Sequence, residues 1–438
     1  MSVRSRVSSM PTAWLAVVAM AALLGSGACS QPVEGAGADP GPTGSGTPTP
    51  ASSSSAITAA AEPTSAELPY AHTGRNDVQG NQLRARALVY VPNQRAGTVQ
   101  VIDPSTYQVI ARRTVAASPE HVVPNHDGSR LYVNSDVGNA LTPIDPTTGE
   151  LMAPLRVDDP YNLYFTPDGA HALVMASRLH RIDVRNAATM ALEHSLPVSC
   201  VGINHADVTT DLTRLVASCE FDGKLVVVDQ DATTVLASID LNGIPTPGAT
   251  PPGRAHSMAG PQQRLVPGAS AMPQDVRLTP DGKWFLVADM LRNGVWVVNA
   301  TTMTYDHFVH TGMGAHGIYP SRDATKLYVS NRDEGSVTVL DAATLTPVAT
   351  WTIPGGGSAD MGGVSVDGTQ LWLSGRYHAR VYVFDTATGA LTHQIPVDAG
   401  PHGLLVWPQP GRLAWGTPET CADPVRQIGH LPCHLPHR

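Results

Sequence analysis

The sequence predicts an all-β protein, a seven-bladed β-propeller of four-stranded antiparallel blades closed by its C-terminal strand. Three observations predict it. From about residue 83, short Val/Leu/Tyr-rich runs alternate with turn residues, the pattern of many short strands. One such run recurs with a period near 40, the length of a propeller blade. The unit count also leaves one strand missing at the start and one to spare at the end.

The recurring run is an apolar strand that ends in Asp or Asn and then turns. It occurs as Val101-Ile102-Asp103, Ile144-Asp145, Ile182-Asp183, Val228-Asp229, Val298-Asn299, Leu340-Asp341 and Phe384-Asp385. The intervals are 42, 38, 46, 70, 42 and 44, and one insertion, about residues 242–272, accounts for the 70. Asp-Gly pairs at 127–128, 168–169, 281–282 and 367–368 lead into strands such as Arg130-Leu131-Tyr132-Val133. Asp-Gly supplies the positive φ angles of a tight hairpin.

Tyr328-Val329-Ser330-Asn331 and Tyr90-Val91-Pro92-Asn93 resemble the tetrapeptide that names the YVTN-repeat propellers. Over residues 83–416 the chain resembles the YncE-like members of that family, as a bacterial secreted or lipoprotein form. The resemblance implies the fold and leaves the activity open.

With a blade's strands labelled A to D from the channel outwards, seven B–C–D units are visible, the first at 87–115. Seven A-type segments begin near His121, Asn162, His205, Asp275, His316, Asp360 and His402. The last of them, Gly403 to Trp407, has no complete blade after it. Pairing it with the first unit closes the ring and removes the open edges of a linear array. Arg412 to Trp415 reads as a further strand without a place. A closed ring needs no partner for its edges, so a monomer is expected.

The flanks read differently. Arg4 and Arg6 precede an apolar run, Ala13 to Leu24, of signal-peptide length and too short for a comfortable span. Residues 1–28 are therefore an expected signal peptide. Gly25-Ser26-Gly27-Ala28 leads into Cys29, which resembles a lipoprotein lipidation site, although Ser26 stands where Leu is usual; simple secretion is the rival. Residues 29–66 are Pro/Gly/Ser/Thr-rich and read as a flexible tether. The propeller is expected over 67–416 and a tail over 417–438. Export to the bacterial cell envelope follows as an expectation, with the membrane reached through the lipid anchor only. Four cysteines besides Cys29 suit an oxidising compartment. Cys200–Cys219 and Cys421–Cys433 are the short-loop choice among three pairings, against four free thiols.

Net charge is −9, or −11 with residues 1–28 set aside, and charged residues make up only 15% of the chain. An acidic chain lacks the broad positive field of nucleic-acid binding.

In propellers the loops before strand A and between strands B and C share one face. On that face the B–C loops bring Arg95, Arg178, Arg292, Arg332 and Arg376, and the A segments bring Asn162, Asp275 and Asp360. Guanidinium forks match carboxylates and phosphates, so these residues suit an anionic small molecule or polymer. Ordinary salt bridges to Asp289, Asp333 and Glu334 are the plainer reading. His121, His205, His316 and His402 recur at the channel mouth, where imidazoles with Asp275 or Asp360 suit zinc or copper. A polar rim hydrogen-bonded to water is the alternative. His121 and Asp275 lie six residues before their turn Asp and His316 seven before Asp323, so by alternation not all four need point inward.

Other motifs carry less. Gly312 to Gly317 matches GxGxxG but lies between strands, and Cys433-His434 lacks the first Cys of a haem-attachment motif, His430 standing there. The tail cluster of Cys421, His430, Cys433, His434 and His437 reads as a disulfide with a His-bearing end or as a metal site. No GxSxG or HExxH occurs. The expected function is a cell-envelope ligand-binding or protein-interaction scaffold, its partner an envelope protein or an anionic ligand. A copper- or zinc-dependent oxidoreductase is the alternative, and a lactonase or lyase a weaker one.

Overall fold

A computed structural model describes residues 73–246 and 264–411. Cys29, the tether, the centre of the insertion, and the tail with Arg412 to Trp415, Cys421 and Cys433 lie outside the described residues.

Seven antiparallel sheets of four strands succeed one another along the chain. The innermost strands are Leu405–Trp407 for blade 1, Pro119–Pro124, Pro160–Phe165, Ile203–Val208, Pro273–Leu278, Ala315–Pro320 and Ala359–Val364 for blade 7. Each is buried along its whole length. Outermost strands such as Gln108–Thr114 and Val235–Asp240 are largely exposed. Middle strands such as Leu88–Asn93 and Trp284–Asp289, covered on both faces, are mostly apolar, while the innermost strands also bury polar residues such as His121, His205 and Asp275, and one wet face gives the outer strands mixed patterning.

The core lies between blades. Tyr90, Val99 and Val101 of blade 1 pack on Val122, Leu131 and Val133 of blade 2, with Leu405 and Trp407 in the same cluster. Fully burying one such side chain is worth about 1.5–3 kcal/mol.

The ring closes as the strand count predicts. Leu88, Val89 and Tyr90 pair with Trp407, Val406 and Leu405. Ahead of that ladder the Gln94 amide donates to Gly400 O at 2.8 Å and the His402 amide to Pro92 O at 3.0 Å. Blade 1 is thus built from both ends of the ring.

The recurring Asp has a backbone role. The side chains of Asp103, Asp145, Asp341 and Asp385 each accept the amide two residues on, which fixes the turn into the last strand. Blade 3 departs from the sequence reading. Its third strand runs Arg181–Asn186, and Asn186 accepts the Ala188 and Thr189 amides. Asp183 lies mid-strand, buried, and accepts from Arg185 and Ser195. With Asn186 as the marker, the intervals of 38 and 46 become 41 and 43.

The channel's far end is covered from both chain directions. A 3₁₀ turn, Gly80–Arg84, lies ahead of the first strand. The Asn76 amide donates to Val366 O at 2.9 Å, Asn81 reaches Asp127 O at 3.2 Å, and the Gln409 amide donates to Gln82 Oε1 at 3.0 Å. Arg322 donates to Ser365 O at 3.0 Å and bonds Gln409 Oε1.

Cys200 and Cys219 form a disulfide across a sequence separation of 19. In the chain-entropy account a loop of this size stabilises by about 3 kcal/mol. Cys200→Ala/Cys219→Ala is expected to lower the unfolding free energy by about that amount. Guanidinium titration of the two proteins at one pH measures it, and an unchanged midpoint would refute it.

Candidate functional site

Six innermost strands carry a register shift near the channel mouth. It falls between Pro119 and His121, Pro160 and Asn162, Ile203 and Ala206, Pro273 and Val276, Ala315 and Ile318, and Ala359 and Gly362. A bulge breaks the two-residue alternation and re-aims side chains. Regular alternation did not require all four histidines to point inward, and the bulged strands bring all four together. Their rings form a circuit with centroids 5.0 Å apart for His121–His205, 6.3 Å for His205–His316, 5.7 Å for His316–His402 and 4.9 Å for His402–His121. All four are buried. Gly403 permits the approach, because a Cβ there would stand 2.0 Å from His121 Nδ1.

Carboxylates and guanidinium groups surround the rings. His402 Nδ1 lies 2.9 Å from Glu120 Oε2, and His402 Nε2 lies 3.8 Å from Asp360 Oδ2. His316 Nδ1 is 3.3 Å from Asp360 Oδ1, and its Nε2 meets the Arg332 guanidinium. Arg332 Nε donates to Asp360 Oδ1 at 2.7 Å. Arg376 stands 3.6 Å from Glu120. His205 Nδ1 is 3.3 Å from the Asn162 amide and 3.9 Å from Asp275 Oδ1. A cavity of about 20 Å³, room for one water or ion, adjoins His121, Asn162, His205, Asp275 and Met361.

The five arginines lie at two depths. Arg332 and Arg376 are buried beside the histidines. Arg95 is exposed, Arg178 donates to Asp159 at 2.7 Å, and Arg292 reaches Ser270 Oγ at 3.0 Å. Arg277 and Glu220 also belong to the buried set. Arg277 follows Asp275 by two on the same strand and lies 3.4 Å from its carboxylate. Glu220 accepts from Asn204 at 2.6 Å. Neither side chain has a local sequence signal beyond its place beside a residue already of interest.

Electrostatics follow from burial. Loss of water holds His121, His316 and His402 well below the ordinary imidazole range and pulls His205 down to about 3. All four rings are therefore neutral at pH 7. Burial lifts Asp360, with Arg332 and Arg376 opposing, and pushes Glu220 up to about 7. Several buried polar atoms have no hydrogen-bond partner among the described residues: Nε2 of His121, His205 and His402, Oδ2 of Asp360, and both terminal nitrogens of Arg376. Buried polar groups are normally satisfied, so these six atoms are the ones that ordered water or a guest at the mouth would serve.

Glu220 gives a pH prediction. Its folded pKa of about 7 exceeds the ordinary 4.5, so its contribution to stability is present below pH 4.5 and is lost as pH rises towards 7. Glu220→Gln removes that loss. Relative to the parent, the variant is expected to gain about 3 kcal/mol between pH 4.5 and pH 8. Denaturant titrations at the two pH values test this, and a pH-independent difference would contradict it.

Fold and site together define a closed seven-bladed propeller with a buried, histidine-centred channel mouth. The chain belongs to the YNCE-like beta-propeller family, whose model matches residues 78–194 and 259–410. Among solved structures it is similar to a functionally unknown protein from Desulfotomaculum acetoxidans DSM 771, at 16% identity and TM-score 0.57, over 73% of this chain and 99% of that one. Hydrazine synthase of Kuenenia stuttgartiensis is similar at 18% identity and TM-score 0.54, covering 73% and 96%. Dihydro-heme d1 dehydrogenase NirN in complex with DHE follows at 16% and 0.52, covering 76% and 77%. At these identities the likeness is one of fold. No curated protein matches the chain.

Proposed function

We propose that the chain is a ligand-binding propeller of the cell envelope whose site is the mouth of the channel. The observation that carries the reading is that several blades bring buried polar atoms without a hydrogen bond among the described residues to the ring of histidines. A site satisfied within the protein would be a structural core; this one keeps donors and acceptors for a guest. The disulfide and the basic–apolar N-terminus support an oxidising compartment outside the cytoplasm. Arg376, buried and 3.6 Å from Glu120, offers a guanidinium whose terminal nitrogens make no hydrogen bond, chemistry suited to an anionic group.

Thermal-shift screening against small carboxylates, phosphates and metal salts tests the reading. A ligand at 100 times its Kd stabilises by about 2.7 kcal/mol, several degrees in Tm. At least one class is expected to give such a shift in the parent and lose it in Arg376→Met/His402→Gln. No shift from any class, or equal shifts in both proteins, overturns the reading.

A further inference from the structure

We propose that the seam where the ring closes carries a second binding site, a surface groove that takes a neutral saccharide. The groove lies between the outermost strands of two blades, Gln108–Thr114 of blade 1 and Leu391–Pro396 of blade 7, whereas the mouth is built on innermost strands. Its volume is about 360 Å³, inside the roughly 300–1,000 Å³ of small-molecule sites.

Three rings form its platform. Trp372 is fully buried, and Tyr107 stacks on it with centroids 5.7 Å apart and planes at 14°. His393 stacks on Tyr107 at 3.5 Å and 11°. The Tyr107 hydroxyl accepts from Gln370 at 2.6 Å, and Gln370 accepts from Trp372 Nε1 at 2.9 Å, which ties the stack to the core. Tyr107 and His393 are only half-buried, and both line the groove. The carbon–hydrogen face of a pyranose ring is slightly positive and suits the negative face of an aromatic ring.

The repeat shows what is particular to this seam. In every blade one residue of the turn towards the outermost strand is left-handed, and its amide donates to the Asp or Asn that opens the turn. Those residues are Tyr107, Gly149, Met190, Ala232, Met303, Leu345 and Gly389. Met190, Ala232 and Leu345 are buried in the core clusters, and the glycines have no side chain to place. Tyr107 alone of the seven is aromatic. Packing explains an apolar residue at this position, but not a phenol left partly in water beside a second stacked ring.

The rest of the lining selects the guest. Val109 and Ile395 give the groove an apolar base. The exposed Gln108 and Gln394 each bring an amide with two donors and an acceptor. No Asp, Glu, Lys or Arg lines the groove, in a chain of net charge −9. An anion or a cation therefore finds no opposite charge there. Hydroxyl groups set around a flat ring match amides set beside stacked rings, and that is the chemistry of a sugar.

The test uses the full chain and ligand-observed nuclear magnetic resonance. Cellobiose and N,N′-diacetylchitobiose are the probes, glucuronate is the charged control, and a proline-rich peptide is the rival guest of an aromatic groove. At least one disaccharide is expected to show saturation transfer and to titrate with a Kd on the order of 1 mM. Glucuronate is expected to bind more weakly. Tyr107→Gly/His393→Ala is expected to weaken the disaccharide about tenfold, glycine suiting the φ of 59° at that turn. Tyr107→Phe keeps the ring and is expected to stay within about twofold of the parent. His393→Ala alone, a change at a half-buried position on an outer strand, carries the test should the double variant not fold. The site is overturned if no disaccharide titrates below about 20 mM, or if its Kd is unchanged in the ring variants. It is also overturned if glucuronate or the peptide binds more tightly through the same two rings. None of these results bears on the mouth, whose ligands are read through Arg376 and His402.

Discussion

Arg332→Met is expected to cost about 3–5 kcal/mol of folding stability, although it changes one side chain for another of similar length. Arg332 is 0% exposed, and so is its partner Asp360. The pair is close, with Nε at 2.7 Å and a terminal nitrogen at 2.6 Å from Asp360 Oδ1. Removing the cation leaves a carboxylate stranded away from water, and that stranded charge is the penalty. Removing both charges is a different experiment. Arg332→Met/Asp360→Leu is expected to recover most of the loss, because a buried pair replaced by apolar groups of similar volume is often neutral. Guanidinium titrations of the single and double variants measure both effects. A single variant within about 1 kcal/mol of the parent would show that water reaches Asp360.

Cutting the chain after Leu404 is expected to do more, removing the cooperative transition altogether. The three residues Leu405–Trp407 supply the innermost strand of blade 1, pairing with Leu88, Val89 and Tyr90. Their loss takes Trp407 and Leu405 out of a cluster shared with Leu88, Tyr90, Val101 and Val133. It also exposes the unpaired edge of Leu88–Asn93, a strand buried along its whole length in the closed ring. The truncated chain is expected to elute as aggregate and to melt without a sharp transition. The milder Trp407→Ala is expected to remain folded and lose about 3–5 kcal/mol. Size-exclusion chromatography and thermal circular dichroism separate these outcomes, and a monodisperse, cooperatively melting truncation would refute the closure argument.

Much of the fold was legible because its markers do backbone work. An Asp that accepts the amide two residues on must recur wherever that turn recurs, so the spacing of Asp103, Asp145, Asp341 and Asp385 reports blade length directly. The same rule explains the one misreading. Asp183 follows an apolar residue in the right neighbourhood, yet it serves Arg185 and Ser195 inside the strand, while Asn186 makes the turn. The site was legible as a set of residues on one face and not as a geometry. Alternation is a property of regular strands, and the bulges beside His121, Asn162 and Gly362 suspend it where the chemistry lies. Depth was hidden for a related reason. Arg95 and Arg332 occupy equivalent loops, but only Arg332 has a buried carboxylate within reach.

The covered far end of the channel gives the ring a polarity. Gln82 and Gln409, near the two ends of the described ring, meet there and bond each other. The innermost strands run from the histidine mouth to the turns that Asn76 and Asn81 touch. The floor is therefore the end at which the described chain begins and finishes, and the mouth is the ceiling. Both described ends of the chain are thus tied to one end of the channel, while the four histidines gather at the other.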